Sequence, residues 1–192
     1  MNRTRLPLLT LALAAFTTAA ASLSTPAPAR AADAPAAVSA SAGFLADADA
    51  NLSYTEGELA QLAEAVPAEK WAWRPAEGVR SYVEITLHVA GGNYFLATFL
   101  GTPVPEGVDA KGIEKSTTDK AKAIETMKAS YVHVKKVIAA LSAADLDTQV
   151  EFFGQKMTKR AIVLVIIGHS HEHLGQSIAY ARMNGVVPPW SK

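Results

Sequence analysis

The chain has 192 residues, 18 basic side chains (Lys and Arg) against 18 acidic ones (Asp and Glu), and no cysteine. This length suits one domain, and the absence of cysteine excludes disulfides, thiolate metal ligands and a cysteine nucleophile. Without residues 1–31 the net charge is −3, and this mildly acidic balance argues against nucleic acid as a partner, because phosphate binding needs clustered Lys and Arg.

Residues 1–31 have the pattern of a secretory signal peptide. Arg3 and Arg5 give a short basic start, residues 6–23 are uncharged and largely apolar, and small residues at Ala29 and Ala31 offer a cleavage site. We therefore expect export to the periplasm or the cell exterior, with a net charge that falls from 0 to −3 because three arginines leave. An uncleaved anchor is the alternative, since ~18 apolar residues can span a bilayer. After cleavage we expect no membrane partner.

The folded domain is predicted to cover residues 42–192, after a disordered lead-in at residues 32–41. The lead-in consists of Ala, Pro and Ser with almost no bulky side chain, so it has little apolar surface to bury. A first helix is predicted from about Ala42 to Val66, because its leucines recur near helical spacing and Pro67 stops it.

Two further helices have clear sequence signals. Ser81 and Glu84 form a capping box that begins the second helix, which Gly101 ends after Leu100. The third helix is predicted from about Thr118 to Leu141, since apolar residues at steps of three and four mark one buried face. The residues of that face are Ile124, Met127, Tyr131, Val134, Ile138 and Leu141.

A short extended or β segment at residues 150–154 is predicted to precede the last helix. Thr158 can cap that helix, which continues to Asn184 and ends at Gly185. Four helices of this length predict an all-α protein with a four-helix bundle.

Two histidines on the last helix have the spacing of metal ligands. His169 and His173 are four residues apart, on a face that also carries Ile162 and Ile166. An unsatisfied polar group in an apolar interior costs roughly 1–3 kcal/mol, so two inward imidazoles need partners. A divalent cation would satisfy both.

The second helix offers a third ligand, His88. It shares a face with Gly92, Phe95 and Phe99, which we expect to point into the bundle. Two adjacent glycines weaken a helix by roughly 1 kcal/mol each, so another helix or a ligand is expected to approach closely at Gly91-Gly92. Three imidazoles leave coordination positions open, as in a catalytic metal site.

The sequence resembles the DinB-like superfamily of metalloenzymes over the whole mature domain. The resemblance implies an up-down-down-up bundle, a divalent metal on His88, His169 and His173, and often a homodimer. The likeness is carried by the segments Trp71-Ala72-Trp73-Arg74-Pro75, Ser81 through His88-Val89-Ala90-Gly91-Gly92-Asn93-Tyr94-Phe95, and His169-x-x-x-His173-Leu174-Gly175-Gln176.

We interpret the chain as a metal-dependent enzyme that acts on a small molecule, with hydrolysis as the simplest chemistry. Zinc is the first expectation, with nickel, iron and manganese as alternatives, because imidazole accepts all four. Gln176 and Tyr180 continue the metal face and are the candidate catalytic residues beside the metal. Two alternatives stay open: a thiol-dependent S-transferase, which the resemblance allows, and a non-catalytic scaffold that the metal stabilises.

Four further side chains have weaker assignments. His171 points away from the pair and is expected at the surface. Glu84 could accept a hydrogen bond from His88, one turn later, in addition to its capping role. Trp71 and Trp73 are interpreted as packing anchors.

Overall fold

A computed structural model of the protein describes residues 34–191. In that range the chain forms four long helices, one short helix and one β-hairpin, so the predicted all-α bundle with a β excursion is confirmed. The signal peptide predicted for residues 1–31 lies outside the described residues. The elements are α1 (Ala34–Ala65), α2 (Tyr82–Phe99), α3 (Lys120–Ala139), α4 (Ala143–Asp147), β1 (Gln149–Phe152), β2 (Gln155–Thr158) and α5 (Lys159–Met183).

Two buried clusters, at opposite ends of the bundle, give the helix directions. One cluster joins the end of α1 and of α5 to the start of α2 and of α3, through Leu62, Val66, Tyr82, Ile85, Ile124 and Tyr180. The other joins the start of α1 and of α5 to the end of α2 and of α3, through Leu52, Leu96, Leu100, Ile138, Ile162 and Ile166. Helices α2 and α3 therefore run parallel to each other and opposite to α1 and α5. The up-down-down-up arrangement is confirmed, and the parallel pair explains the long connection at residues 100–119.

Helix starts follow the capping signals in the sequence. The Ser81 hydroxyl accepts a hydrogen bond from the Glu84 backbone N–H, and the Glu84 carboxylate accepts one from the Ser81 N–H at 2.7 Å. The hydroxyl of Thr158 caps α5 in the same manner. All six residues of the predicted α3 face are buried. These local signals fix the helices that carry the histidines.

Helix α1 begins at Ala34, earlier than the predicted start near Ala42. The helix thus extends through residues 34–41, which the prediction assigned to the lead-in. Alanine has the highest helix propensity, so an Ala-rich segment continues a helix even where it carries little apolar bulk. Pro35 falls in the first turn, where its missing N–H is not needed.

Trp71 fixes the connection between α1 and α2. Its side chain is 2% exposed, its indole N–H donates to the Val66 carbonyl at 3.1 Å, and its ring packs on Tyr82. Trp73 packs edge-on against Tyr180 of α5. Both tryptophans are packing anchors, as predicted. Within residues 34–191, no helix has the length and apolarity that crossing a membrane requires.

Candidate metal centre

The structure brings the three predicted histidines together where α2 meets α5. Nε2 of His88 and Nε2 of His169 are 3.2 Å apart, and one ring nitrogen from each of His88, His169 and His173 lies within 4.8 Å of the others. Around a tetrahedral zinc, with Zn–N bonds of about 2.0–2.1 Å, neighbouring ligand nitrogens are about 3.3 Å apart. The three imidazoles are therefore spaced so that they could share one cation.

Hydrogen bonds orient two of the rings toward that shared point. Nδ1 of His88 contacts Oε1 of Glu114, and Nδ1 of His173 lies 2.8 Å from Oε1 of Gln176. Because these oxygens accept, each Nδ1 carries the proton and each Nε2 keeps a free lone pair. Metal-binding histidines are typically held in this way by an acceptor on the second nitrogen.

Arg80 holds Glu114 in position. Its Nε and Nη2 donate to the two carboxylate oxygens at 2.8 and 3.1 Å. Burial by itself raises the pKa of Glu114, but the hydrogen bonds from Arg80 and His88 outweigh it, so the pKa is lowered. Glu114 is therefore an ionised acceptor, and Arg80, Glu114 and His88 form one chain of contacts that ends at the site.

Sequence reasoning missed Glu114 and proposed Glu84 as the acceptor for His88. The carboxylate of Glu84 instead binds the Ser81 N–H and lies 3.1 Å from Nη2 of Arg74, so the predicted contact with His88 is wrong. Glu114 comes from a short 3-10 turn in the connection between α2 and α3. The sequence feature that could have indicated Glu114 is the neighbouring Ile113, an apolar residue in a polar loop. Its side chain is 6% exposed and anchors that turn against the bundle.

The other two imidazoles are kept neutral by their surroundings. Burial, together with the neighbouring His173, His88 and Arg80, lowers the pKa of His169 to about 3. Burial also lowers the pKa of His173, against the opposing effect of its hydrogen bond to Gln176. Neutral imidazoles are the form that binds metal. Nδ1 of His169 is buried and has no hydrogen-bond partner among the described residues.

The two glycines of α2 provide the close approach predicted for them. A Cβ on Gly92 would stand 2.3 Å from Cε1 of His169. A Cβ on Gly91 would stand 2.8 Å from Cγ2 of Ile113, so this glycine lets the loop that carries Glu114 lie against α2. Gly92 therefore makes room for the ring of His169. Gly91 makes room for Ile113, which holds the loop whose Glu114 contacts His88.

Two pockets adjoin the histidines. The first, of about 290 Å³, is open to solvent and is lined by His88, Gly91, Gly92, Phe95, Ala110, Lys111 and Glu114. The second, of about 520 Å³, is polar and is lined by Arg74, Gly78, Val79, Arg80, Glu84, Glu114 and Gln176. The face of α2 that we expected inside the bundle lies at the first pocket instead, and Phe95 is 39% exposed. The reason is that α2 buries its Ile85-Val89-Leu96 side.

Of the two candidate catalytic residues, Gln176 lines the second of these pockets, and Tyr180 lines neither. Gln176 lines the polar pocket, and its Nε2 donates to the Tyr180 hydroxyl at 3.4 Å. Tyr180 is buried and packs against Trp73. Gln176 therefore positions the ring of His173, and the Tyr180 hydroxyl, which accepts the hydrogen bond from Gln176, helps to hold Gln176 in place. His171 is exposed, as predicted.

Replacing Glu114 tests the support of His88. In Glu114→Ala the ring loses its acceptor, so we expect zinc affinity to fall by about 10–100-fold, the usual effect of removing such a partner. Isothermal titration calorimetry measures the affinity. Glu106→Ala, an exposed acid on the same connection, is the matched control and should bind zinc like the parent chain. Equal affinities in both variants would contradict the assigned role.

Comparisons with known proteins agree with this fold. A model of the DinB superfamily matches residues 51–177, about two thirds of the chain, and this range includes all three histidines. None of the curated proteins matches the chain at a significant level. Two solved structures with the same fold, both of DinB-like proteins, are similar over most of their length. That from Bacillus cereus is 17% identical, with a TM-score of 0.65 over 77% of this chain and 95% of its own. That from Bacillus subtilis is 20% identical, with a TM-score of 0.59 over 73% and 93%.

Proposed function

Because the chain belongs to the DinB superfamily, we propose that it is an enzyme that depends on a divalent metal, with zinc as the first candidate. The observation that carries this proposal is the convergence of His88, His169 and His173 beside an open pocket. When bound, such a cation supplies Lewis acidity, which polarises a substrate carbonyl and lowers the pKa of water.

Hydrolysis of a small molecule is the reaction that we propose. Among the described residues, these three histidines are the only group of three or more His, Asp or Glu side chains close enough to share one ion, and the smaller pocket beside His88 would leave room for substrate and water. His88 lines the smaller pocket directly, so a substrate there would lie against a ligand ring. This open side distinguishes a catalytic site from a structural one, in which four protein ligands enclose the metal.

The residues around the histidines have separate tasks in this proposal. Glu114 and Gln176 hold the imidazole rings in orientation, and Arg80 holds Glu114. Arg74 and Arg80 give the polar pocket two cations beside two carboxylates, so this side would receive the charged or hydrogen-bonding part of a substrate. We further propose, from the basic and apolar pattern of residues 1–31, that the enzyme acts outside the cytoplasm.

An activity screen on zinc-loaded protein tests the reaction. We expect turnover of esters or amides that is abolished by a chelator and restored by added zinc, and that falls to the uncatalysed rate in His173→Ala. His171→Ala, an exposed histidine two residues away, should keep full activity. Turnover confined to thiol conjugates would favour the S-transferase alternative. Full zinc occupancy with no turnover in any class would favour the non-catalytic scaffold, and both results contradict a hydrolase.

A further inference from the structure

Four of the six phenylalanines form one cluster, and one of them, Phe95, lines the smaller pocket. Each ring packs against two others, with distances of 4.6 to 6.1 Å between ring centroids. The four residues are Phe95, Phe99, Phe152 and Phe153. Phe99 and Phe152 are half-buried, but Phe95 is 39% and Phe153 is 77% exposed. The outer half of the cluster thus presents aromatic surface to solvent beside the histidines.

Phe153, the most exposed of the four rings, also has an unusual backbone conformation. Phe153 has φ +48° and Gly154 has φ +79°, so both central residues of the β1–β2 turn are left-handed. Turns of this kind favour Asn, Asp or Gly, whereas a bulky residue with positive φ is an outlier. The Phe153 ring packs on Phe152 and Phe95, but most of its surface stays exposed, and residues in unfavourable backbone conformations concentrate at functional sites.

The geometry of α2 connects this cluster to the metal centre. Phe95 follows His88 by two helical turns on the same face, and the smaller pocket between them is also lined by Gly91 and Gly92, which pack against Ile113 and His169. The pocket volume of about 290 Å³ is ample for a planar ring, since an apolar cavity of about 150 Å³ already binds benzene. A group that extends through this pocket from the His88 ring would meet the ring of Phe95, and the Phe153 ring lies next to Phe95, 6.1 Å away between centroids.

We propose that Phe95 and Phe153 form an aryl-binding subsite, and that the substrate carries an aromatic ring next to the bond held at the histidines. This inference rests on the proposed metal-dependent function. Aromatic rings pair favourably in offset or edge-to-face contact, and the side chains of Phe95 and Phe153 leave part of their surface unpaired. The subsite therefore selects among substrates without taking part in the chemistry.

Two hydroxamates that bind metals through the same group test the subsite. Acetohydroxamate carries a methyl group and benzohydroxamate a phenyl ring, and calorimetry on zinc-loaded protein gives both dissociation constants. We expect benzohydroxamate to bind about tenfold more tightly, as expected for burial of an added phenyl surface. The dissociation constant of acetohydroxamate divided by that of benzohydroxamate should be about ten in the parent protein. This ratio should approach one in Phe95→Ala and fall several-fold in Phe153→Asn. Asparagine tolerates positive φ, so the second variant keeps the hairpin folded.

The controls separate this proposal from its alternatives. Leu164→Ala removes an exposed apolar side chain from α5 outside both pockets and should leave the ratio unchanged. An unchanged ratio in Phe95→Ala and Phe153→Asn would overturn the subsite while zinc binding stands. The subsite is equally overturned if Phe153→Asn converts a dimer into a monomer, measured by light scattering, without changing the ratio. If neither hydroxamate binds, the open metal site fails, and the subsite fails with it.

Discussion

Gly92→Ala is expected to reduce zinc affinity by about 100-fold or more, although it removes no ligand and adds one methyl group. The added Cβ would stand 2.3 Å from Cε1, 2.9 Å from Nδ1 and 3.0 Å from Nε2 of His169. These atoms belong to a rigid ring between two packed helices, so the ring must leave its position. Loss of orientation in a supporting partner alone costs 10–100-fold in affinity, and displacement of a ligand costs more.

The same substitution should leave the metal-free fold intact. Alanine in a helix interior is more stable than glycine by about 1 kcal/mol, which offsets part of the local strain. Zinc titration by calorimetry and thermal unfolding of the metal-free protein measure the two effects separately. Gly168→Ala is the matched control, because it lies beside His169 in α5 and its Cβ would meet nothing within 4 Å. Parent-like zinc affinity in Gly92→Ala would contradict the described ring position.

Removal of the metal is expected to have the largest effect on stability. At free zinc about 1,000 times the dissociation constant, binding to the folded chain alone adds about 4 kcal/mol to the free energy of unfolding. The physical reason is that the three imidazoles can share one cation only in the folded chain, which brings them together. Thermal unfolding with zinc and with a chelator gives the difference.

Histidine variants show whether this stabilisation arises at the centre. His173→Ala should lose the difference between zinc and chelator, while His171→Ala should keep it. His171 is exposed and lies 3.3 Å from Oδ1 of Asn51, away from the other rings. Stabilisation by zinc that persists in His173→Ala would place the binding site elsewhere on the chain.

The sequence predicted those parts of the site that periodicity controls. The four-residue spacing of His169 and His173 places both on one face of a helix, and the capping box at Ser81 and Glu84 gives the start of the helix that carries His88. Gly91 and Gly92 predicted that another part of the chain packs closely against α2, because glycine lowers the stability of a helix and that loss must be offset by another contact.

The parts that it did not predict depend on long-range packing. Glu114 reaches His88 from a loop whose path is set by Ile113 docking on Gly91, and no local pattern gives that path. Phe152 and Phe153 are far from Phe95 in sequence, so their meeting follows only from the hairpin position. Helix α1 begins before the predicted start near Ala42, because the alanines of this segment favour helix although they give no apolar periodicity.

The central claim is that one divalent cation binds between His88, His169 and His173. Elemental analysis of protein purified with supplemented zinc and then desalted tests it most directly. We predict about one metal ion per chain in the parent protein and in His171→Ala, and almost none in His173→Ala. A parent protein without stoichiometric metal, or a His173→Ala variant with the same content as the parent, would contradict the claim.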